Sequence, residues 1–207
     1  MRIALFGGTF DPPHRAHIAV AQAAADAFRL DRVLFAPAGR QPLKPGTIYA
    51  SYTDRLGMVE RAVQADARFA ASTLDEPLAD GSANYTVDAL ATLDAGRAPG
   101  NELFCIVGAD AFLDLPRWRE PERLLTLAEW IVVSRPGFSM GSLAKLTLLP
   151  PEFARVHLLE TVHQDVSATA LREGLARGEN MDAELAPGVG EYIRAHNLYS
   201  QHGPISI

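Results

Sequence analysis

The stretch Met1-Arg2-Ile3-Ala4-Leu5-Phe6-Gly7-Gly8-Thr9-Phe10-Asp11-Pro12-Pro13-His14-Arg15-Ala16-His17 decides the fold. Residues 1–6 form an apolar run of strand length. The run breaks into a turn carrying two glycines and two prolines, and the turn delivers His14 and His17 onto the start of a helix. Strand, glycine turn, helix is how α/β proteins hold phosphate. Glycine lets the main chain approach closely, and a helix N-terminus presents unpaired N–H groups and a partial positive charge. Two histidines three apart share one helical face, so the turn aims a set of donors at one spot.

Working outward, the rest of the chain alternates two periodicities. Apolar runs of strand length fall at 33–36, 103–107, 131–133 and 156–159, with a weaker one at 69–72. Amphipathic stretches at 17–28, 53–63, 87–93, 121–127, 169–176 and 189–196 predict helices. Strands alternating with helices imply an α/β fold, a Rossmann-like doubly wound parallel sheet with helices on both faces. In such sheets the ligand crevice lies beyond the carboxyl ends of the strands. The segments 7–9, 37–44, 108–110 and 134–136 all follow strands and are expected to meet there. No internal repeat, Walker A string or Gly-x-Gly-x-x-Gly pattern occurs, which argues against a dinucleotide held in the dehydrogenase manner.

Bulk properties set the class. A chain of 207 residues suits one domain over 1–200, followed by a tail at 201–207. Twenty-five acidic against 19 basic residues give a formal charge of −6. That argues against nucleic acid or an anionic membrane as partner, because both call for a basic face. No apolar run of about 18 residues suggests a spanning helix. No signal-peptide pattern opens the chain, and the cytoplasm is the simplest location. The single Cys105, within an apolar run, reads as a buried core thiol.

A second string, Val166-Ser167-Ala168-Thr169-Ala170-Leu171-Arg172, has the form of a helix start. Ser167 suits the N-cap, the helix end offers another anion site, and Arg172 lies about one turn further on. A guanidinium stays cationic and can hold two oxygens at once, which suits a triphosphate.

Taken together, these strings resemble the signatures of the nucleotidyltransferases. The first is similar to Gly-Thr-Phe-Asp-Pro followed by His-x-Gly-His, matched by residues 8–12, His14 and His17, with Ala16 where the family has glycine. The second is similar to Ile-Ser-x-Thr-x-x-Arg, with Val166 in place of isoleucine. The middle of the chain resembles the bacterial nicotinate mononucleotide adenylyltransferases. Asn84-Tyr85-Thr86 looks like their Ser-Tyr-Thr, and Gly108-Ala109-Asp110 followed by Trp118 like their Gly-x-Asp and tryptophan. Ser134-Arg135-Pro136-Gly137 looks like their Arg-Pro-Gly. Gln41-Pro42-Leu43-Lys44 is similar to their Pro-Pro-His-Lys, with Leu43 in the histidine's place.

The resemblance implies adenylyl transfer from ATP to nicotinate mononucleotide, with Mg2+ carried on the ATP phosphates. It assigns His14, His17 and Arg172 to catalysis. ATP would meet Gly7, Gly8, Thr9, Phe10, Gly108, Asp110, Ser167 and Thr169. The acceptor would meet Lys44, Tyr85, Thr86, Trp118, Arg119 and Arg135. Trp118 would stack on a pyridine ring. Thr86 would cap the helix beginning near Val87 and help receive a carboxylate, and Asp110 would accept from a ribose hydroxyl or cap its own helix. Trp130 and His157 read as structural, and His163, His196 and His202 as surface residues. Two alternatives stay open: another acceptor, such as nicotinamide mononucleotide, and a nucleotide-binding sensor without turnover.

Overall fold

The computed structural model describes residues 1–40, 48–134, 154–160 and 166–200. Six strands form one sheet: β1 (Arg2–Gly8), β2 (Arg32–Pro37), β3 (Phe69–Ala71), β4 (Glu102–Gly108), β5 (Glu129–Ser134) and β6 (Val156–Glu160). All five pairings are parallel, and the spatial order is β3-β2-β1-β4-β5-β6. The chain winds outward from β1 to β3, then returns to lie beside β1 as β4. The crevice expected of such a sheet therefore lies between β1 and β4.

Side-chain alternation explains why the sheet is covered on both faces. Along β1, Ala4 and Phe6 face one core, while Leu5 between them faces the other. Along β4, Phe104 and Ile106 join the first core, and Leu103, Cys105 and Val107 the second. Period-two geometry sends neighbours to opposite faces, and a strand apolar on both faces must be covered on both. The first core is closed by α1 (Arg15–Ala27), α2 (Tyr52–Ala62), α6 (Ala168–Ala176) and α7 (Val189–Ala195). The second is closed by α3 (Thr86–Ala95), α4 (Ala109–Leu113) and α5 (Pro121–Leu127).

Trp130 is fully buried in the second core and donates Nε1–H to the Leu124 carbonyl at 3.3 Å. Cys105 is buried there as well, and burial pushes its thiol up to about 12. On the other face, α2 and α7 pack closely at Gly57, where a Cβ would collide with Oη of Tyr192. A side chain at position 57 would require the Tyr192 ring to move. His157 meets Glu129 at 2.9 Å and the ring of Phe28, a structural role on the sheet edge. His196 is exposed and stacks on Tyr192.

Of the seven α-helices described, six begin within two residues of where the sequence predicts, and α4 was not among those predicted. α1 starts at Arg15, not His17, because His14 holds extended N-cap geometry and the turn closes earlier. Lys44, Arg135, His163, His202 and the tail at 201–207 lie outside the described residues.

Candidate active site

A cavity of about 410 Å³ opens over the carboxyl ends of β1 and β4. Gly7, Gly8 and Thr9 line it from the turn after β1, and Gly108 and Asp110 from the end of β4. Thr86 lines it from the start of α3, and Trp118 and Arg119 from the chain between α4 and α5. The structure thus gathers eight of the sequence-derived site residues into one crevice, although they come from four separate stretches of chain. Trp118 is half-buried, its ring edge-on to Trp130 at 6.0 Å, so one part of its surface is fixed and another is free to meet a ligand. Arg119 lays its guanidinium over the ring of Tyr85 at 4.6 Å, which ties the two acceptor-side stretches together.

His14 and His17 stand on the α1 side of that turn. Their rings stack at 3.7 Å with an interplanar angle of 23°. The backbone N–H of His14 donates to Nδ1 of His17 at 3.1 Å. An acceptor at Nδ1 fixes the neutral tautomer, so Nε2 of His17 carries the proton and is the donor. Burial lowers the pKa of His14 to about 4. Burial also holds His17 well below the usual histidine range, and the charge of His14 pushes the same way. Both rings are therefore neutral near pH 7. Nδ1 of His14 is buried with no hydrogen-bond partner among the described residues.

Phe10 lies beneath this pair. Its ring is 2% exposed and meets His17 edge-on at 4.9 Å and Phe6 at 5.7 Å. The sequence reading put Phe10 among the groups facing ATP, but its side chain belongs to the first core. What it offers the site is a rigid floor for the His17 ring.

The α1 N-terminus departs from the sequence expectation of an open set of N–H donors. The N–H of His14 is held by His17, that of Arg15 donates to the Glu184 carbonyl at 2.9 Å, and that of His17 to the His14 carbonyl at 2.9 Å. A strap at 183–186 runs across the helix start, with a bridge pairing His14 and Leu185. The N–H groups of His14, Arg15 and His17 are thus all engaged within the protein.

Arg172 is half-buried and already tethered. It donates through Nη1 to the main-chain carbonyl of Asp11 at 2.7 Å and through Nη2 to Oγ1 of Thr169 at 3.2 Å, and it stacks over the ring of Tyr49 at 4.4 Å. A guanidinium has five donors, so donors remain for a ligand. Ser167 sits at the α6 N-cap as expected, but its side chain makes no capping bond, and both it and Thr169 are exposed. Thr86 likewise does not cap α3. It is the first helical residue, Tyr85 occupies the N-cap, and neither side chain caps. Asp110 is exposed one residue inside α4, with Gly108 at the N-cap. Each of the three residues lies at a helix start, although α3 begins at Thr86 and not at Val87, and none of the three supplies a side-chain cap.

Several residues that hold the site together escaped the sequence reading. Asp11 is 3% exposed. Its carboxylate accepts from the N–H of Tyr49 at 2.8 Å, the N–H of Ala50 at 3.2 Å and Oη of Tyr199 at 2.6 Å. Arg55 is buried in α2 beside Met58, Val59 and Ala62. Asn84 receives the N–H of Arg40 at its Oδ1 and donates Nδ2–H to the Glu76 carbonyl. Gly39 is required there, since a Cβ would collide with Oδ1 of Asn84. Asp75 lines the crevice, and burial raises its carboxyl to about 7 against a nearby Arg55 charge that lowers it. Asp11 and Asn84 lie within the quoted motifs with no role assigned to them there, and Arg55 occupies an apolar stripe position, spaced i, i+3, i+4, i+7 with Met58, Val59 and Ala62. Among the described residues no three His, Cys, Asp or Glu side chains cluster to hold a metal ion.

The cytidylyltransferase-like family matches residues 5–174. A protein of Solibacter usitatus named probable nicotinate-nucleotide adenylyltransferase is 38% identical over 200 residues, covering 97% of this chain and all of that one. Its namesake in Roseiflexus sp. (strain RS-1) is 42% identical over 200 residues, covering 95% of this chain and 97% of that one. Among solved structures, nicotinic acid mononucleotide adenylyltransferase of Plasmodium falciparum complexed with NaAD superposes with a TM-score of 0.71 at 18% identity, covering 96% of this chain and 97% of that one. That similarity supports the doubly wound fold, and the sequence matches reach further: with a crevice at the β1–β4 switch point and both signature strings in place, the chain belongs to the nicotinate-nucleotide adenylyltransferase family, enzymes of the nucleotidyltransferase class.

Proposed function

We propose that this protein transfers the adenylyl group of ATP to nicotinate mononucleotide, giving nicotinate adenine dinucleotide and pyrophosphate in the cytoplasm. The observation that carries the reading is the single crevice in which Gly7, Gly8 and Thr9 meet Thr86, Trp118 and Arg119. A phosphate turn and an aromatic acceptor wall share one cavity, as a reaction joining two nucleotides requires.

A 5′-phosphate oxygen of the acceptor attacks the α-phosphorus, the new P–O bond forms, and the bond from that phosphorus to the bridging oxygen breaks. The electron pair leaves on pyrophosphate. The attacking group is already an anion, so no protein base is needed, and catalysis reduces to in-line placement and charge stabilisation. Good placement alone is worth roughly 7–11 kcal/mol. His17, with its proton on Nε2, donates to an α-phosphate oxygen as negative charge builds. His14 meets the phosphates beside it. Arg172 turns its remaining donors to the leaving pyrophosphate, with Ser167 and Thr169 at the adjoining helix start. Gly7, Gly8 and Thr9 hold the crevice open for the nucleotide, and Asp110 beside Gly108 accepts from a ribose hydroxyl. Trp118 stacks on the pyridine ring. Tyr85, Thr86 and Arg119 receive its carboxylate, and Lys44 and Arg135 are assigned to the acceptor phosphate. Magnesium would come with the triphosphate, since no three His, Cys, Asp or Glu side chains cluster to hold it among the described residues, and it would supply charge neutralisation on the phosphates.

One observation favours a second acceptor. Asp75 lines the same crevice, and an ionised carboxylate there opposes nicotinate and not nicotinamide. Pyrophosphate release from ATP and magnesium, compared with nicotinate and nicotinamide mononucleotides, tests both readings. Strong preference for nicotinate is expected, equal use would reject the carboxylate-reading roles, and ATP binding without release from either would indicate a sensor.

A further inference from the structure

We infer that Arg55 is a positioning residue that sets the spacing between the phosphate turn and the main chain on the acceptor side of the crevice. The inference rests on the adenylyl-transfer reading above. Arg55 is 2% exposed. Its donors go to main-chain carbonyls from three separate segments: Nη1 to Thr9 at 2.9 Å and to Ala38 at 2.8 Å, and Nε to Ala50 at 3.3 Å. Among the described residues no carboxylate pairs with it directly, although the charges of Asp11 and Asp75 lie close. Burying a guanidinium is costly, and holding up a helix would not call for contacts to three loops.

Each carbonyl leads to a different part of the site. Thr9 lines the crevice on the ATP side. Ala38 leads into Gly39 and Arg40, which Asn84 fastens beside Tyr85 and Thr86. Ala50 donates its N–H to Asp11, whose own carbonyl holds Arg172. One rigid fork therefore joins the ATP-binding turn, the triphosphate arginine and the acceptor wall. Arg55 touches none of the groups assigned to substrate except through the Thr9 main chain. Its effect should appear in the alignment of two bound substrates and not in the binding of one. A misplacement of about 1 Å costs on the order of 100-fold in rate.

The test uses Arg55→Lys and Arg55→Gln in the full chain. Thermal melting, ATP affinity without acceptor, and kcat and KM for pyrophosphate release are measured for each. Lysine keeps the charge but lacks the fork, and glutamine keeps a donor without the charge. Both variants should fold and bind ATP within about threefold of the parent, while kcat falls about 100-fold. Folded variants with kcat within about threefold of the parent overturn the proposal. So does a fall in ATP affinity as large as the fall in kcat, which would confine Arg55 to the ATP side. Failure of both variants to fold at room temperature also overturns it, because Arg55 would then be holding the fold and not the site. The parent enzyme keeps the two readings apart: no release with nicotinate mononucleotide counts against the proposed acceptor, and the comparison of variants then runs on whichever mononucleotide is used.

Discussion

The imidazoles of His14 and His17 stack at 3.7 Å, with Nδ1 of His17 accepting from the backbone N–H of His14. Two rings this close repel when both are charged, and burial already holds each below the ordinary histidine range. The pair is a neutral donor set that has room for one extra charge.

That arrangement predicts proton uptake on ATP binding. A triphosphate beside the pair favours imidazolium and raises the depressed pKa values. Titration calorimetry near pH 6.5 in buffers of low and high ionisation heat should show uptake of about one proton or less. Binding enthalpies independent of the buffer would reject it.

His17→Ala should lower pyrophosphate release about 100- to 1000-fold, the usual loss for one charge-stabilising donor. The fold should survive, since alanine is the best helix former and the site is the first turn of α1. Near-normal release from a folded variant would remove His17 from its assigned role.

Arg172→Lys keeps the charge and loses the fork that binds Asp11 while leaving donors for a ligand. Turnover should fall by about 100-fold, with a stability loss near 1 kcal/mol for the tether to Asp11. Denaturant melts read alongside steady-state rates separate the two effects. A stability loss with turnover intact would make Arg172 purely structural.

Asp75→Asn should stabilise the protein above neutral pH. The Asp75 carboxyl is pushed up to about 7 in the fold, from an ordinary 3.8. The folded state therefore binds that proton more tightly than the unfolded chain, and stability falls as pH rises from about 4 to about 7. The asparagine variant escapes this loss, gaining at most about 4 kcal/mol at pH 8 and nothing below pH 4. Melting temperatures of both proteins across pH 4–8 give the check. A gain that does not grow with pH would mean that burial does not raise this group.

Tyr199→Phe removes the donor at 2.6 Å from the Asp11 carboxylate and leaves the ring in place. A lost bond to a buried charge costs about 1.5–3 kcal/mol. If Asp11 organises the turn as described, turnover should fall along with stability. A stability loss alone would limit Tyr199 to holding the end of the chain.

The strands were legible in sequence because apolar runs such as 3–6 and 103–107 have few alternatives once glycine turns bound them. The crevice residues Gly7 and Gly108 were legible because a parallel sheet brings its strand ends together, and Thr86 because Asn84-Tyr85-Thr86 resembles a family segment. The capping calls at Ser167 and Thr86 failed on geometry, since a cap depends on where one hydroxyl points and the residue type alone does not fix that. Phe10 was read with its motif, yet its positive φ turns the ring into the core. The engaged N–H of Arg15 was invisible because its partner, the carbonyl of Glu184, is a main-chain atom far along the chain. The partners of Asp11 and Arg55 are likewise mostly backbone groups, which leave no pattern in residue type.

The strap at 183–186 and the bond from Tyr199 to Asp11 also order events in time. A ribosome releases the glycine turn and its histidines first, but the groups that fix their geometry come last. Until Leu185 and Tyr199 emerge, the nascent chain carries the signature without the site. A chain stalled before Val189–Ala195 would carry the phosphate turn without the tie from Tyr199 to Asp11.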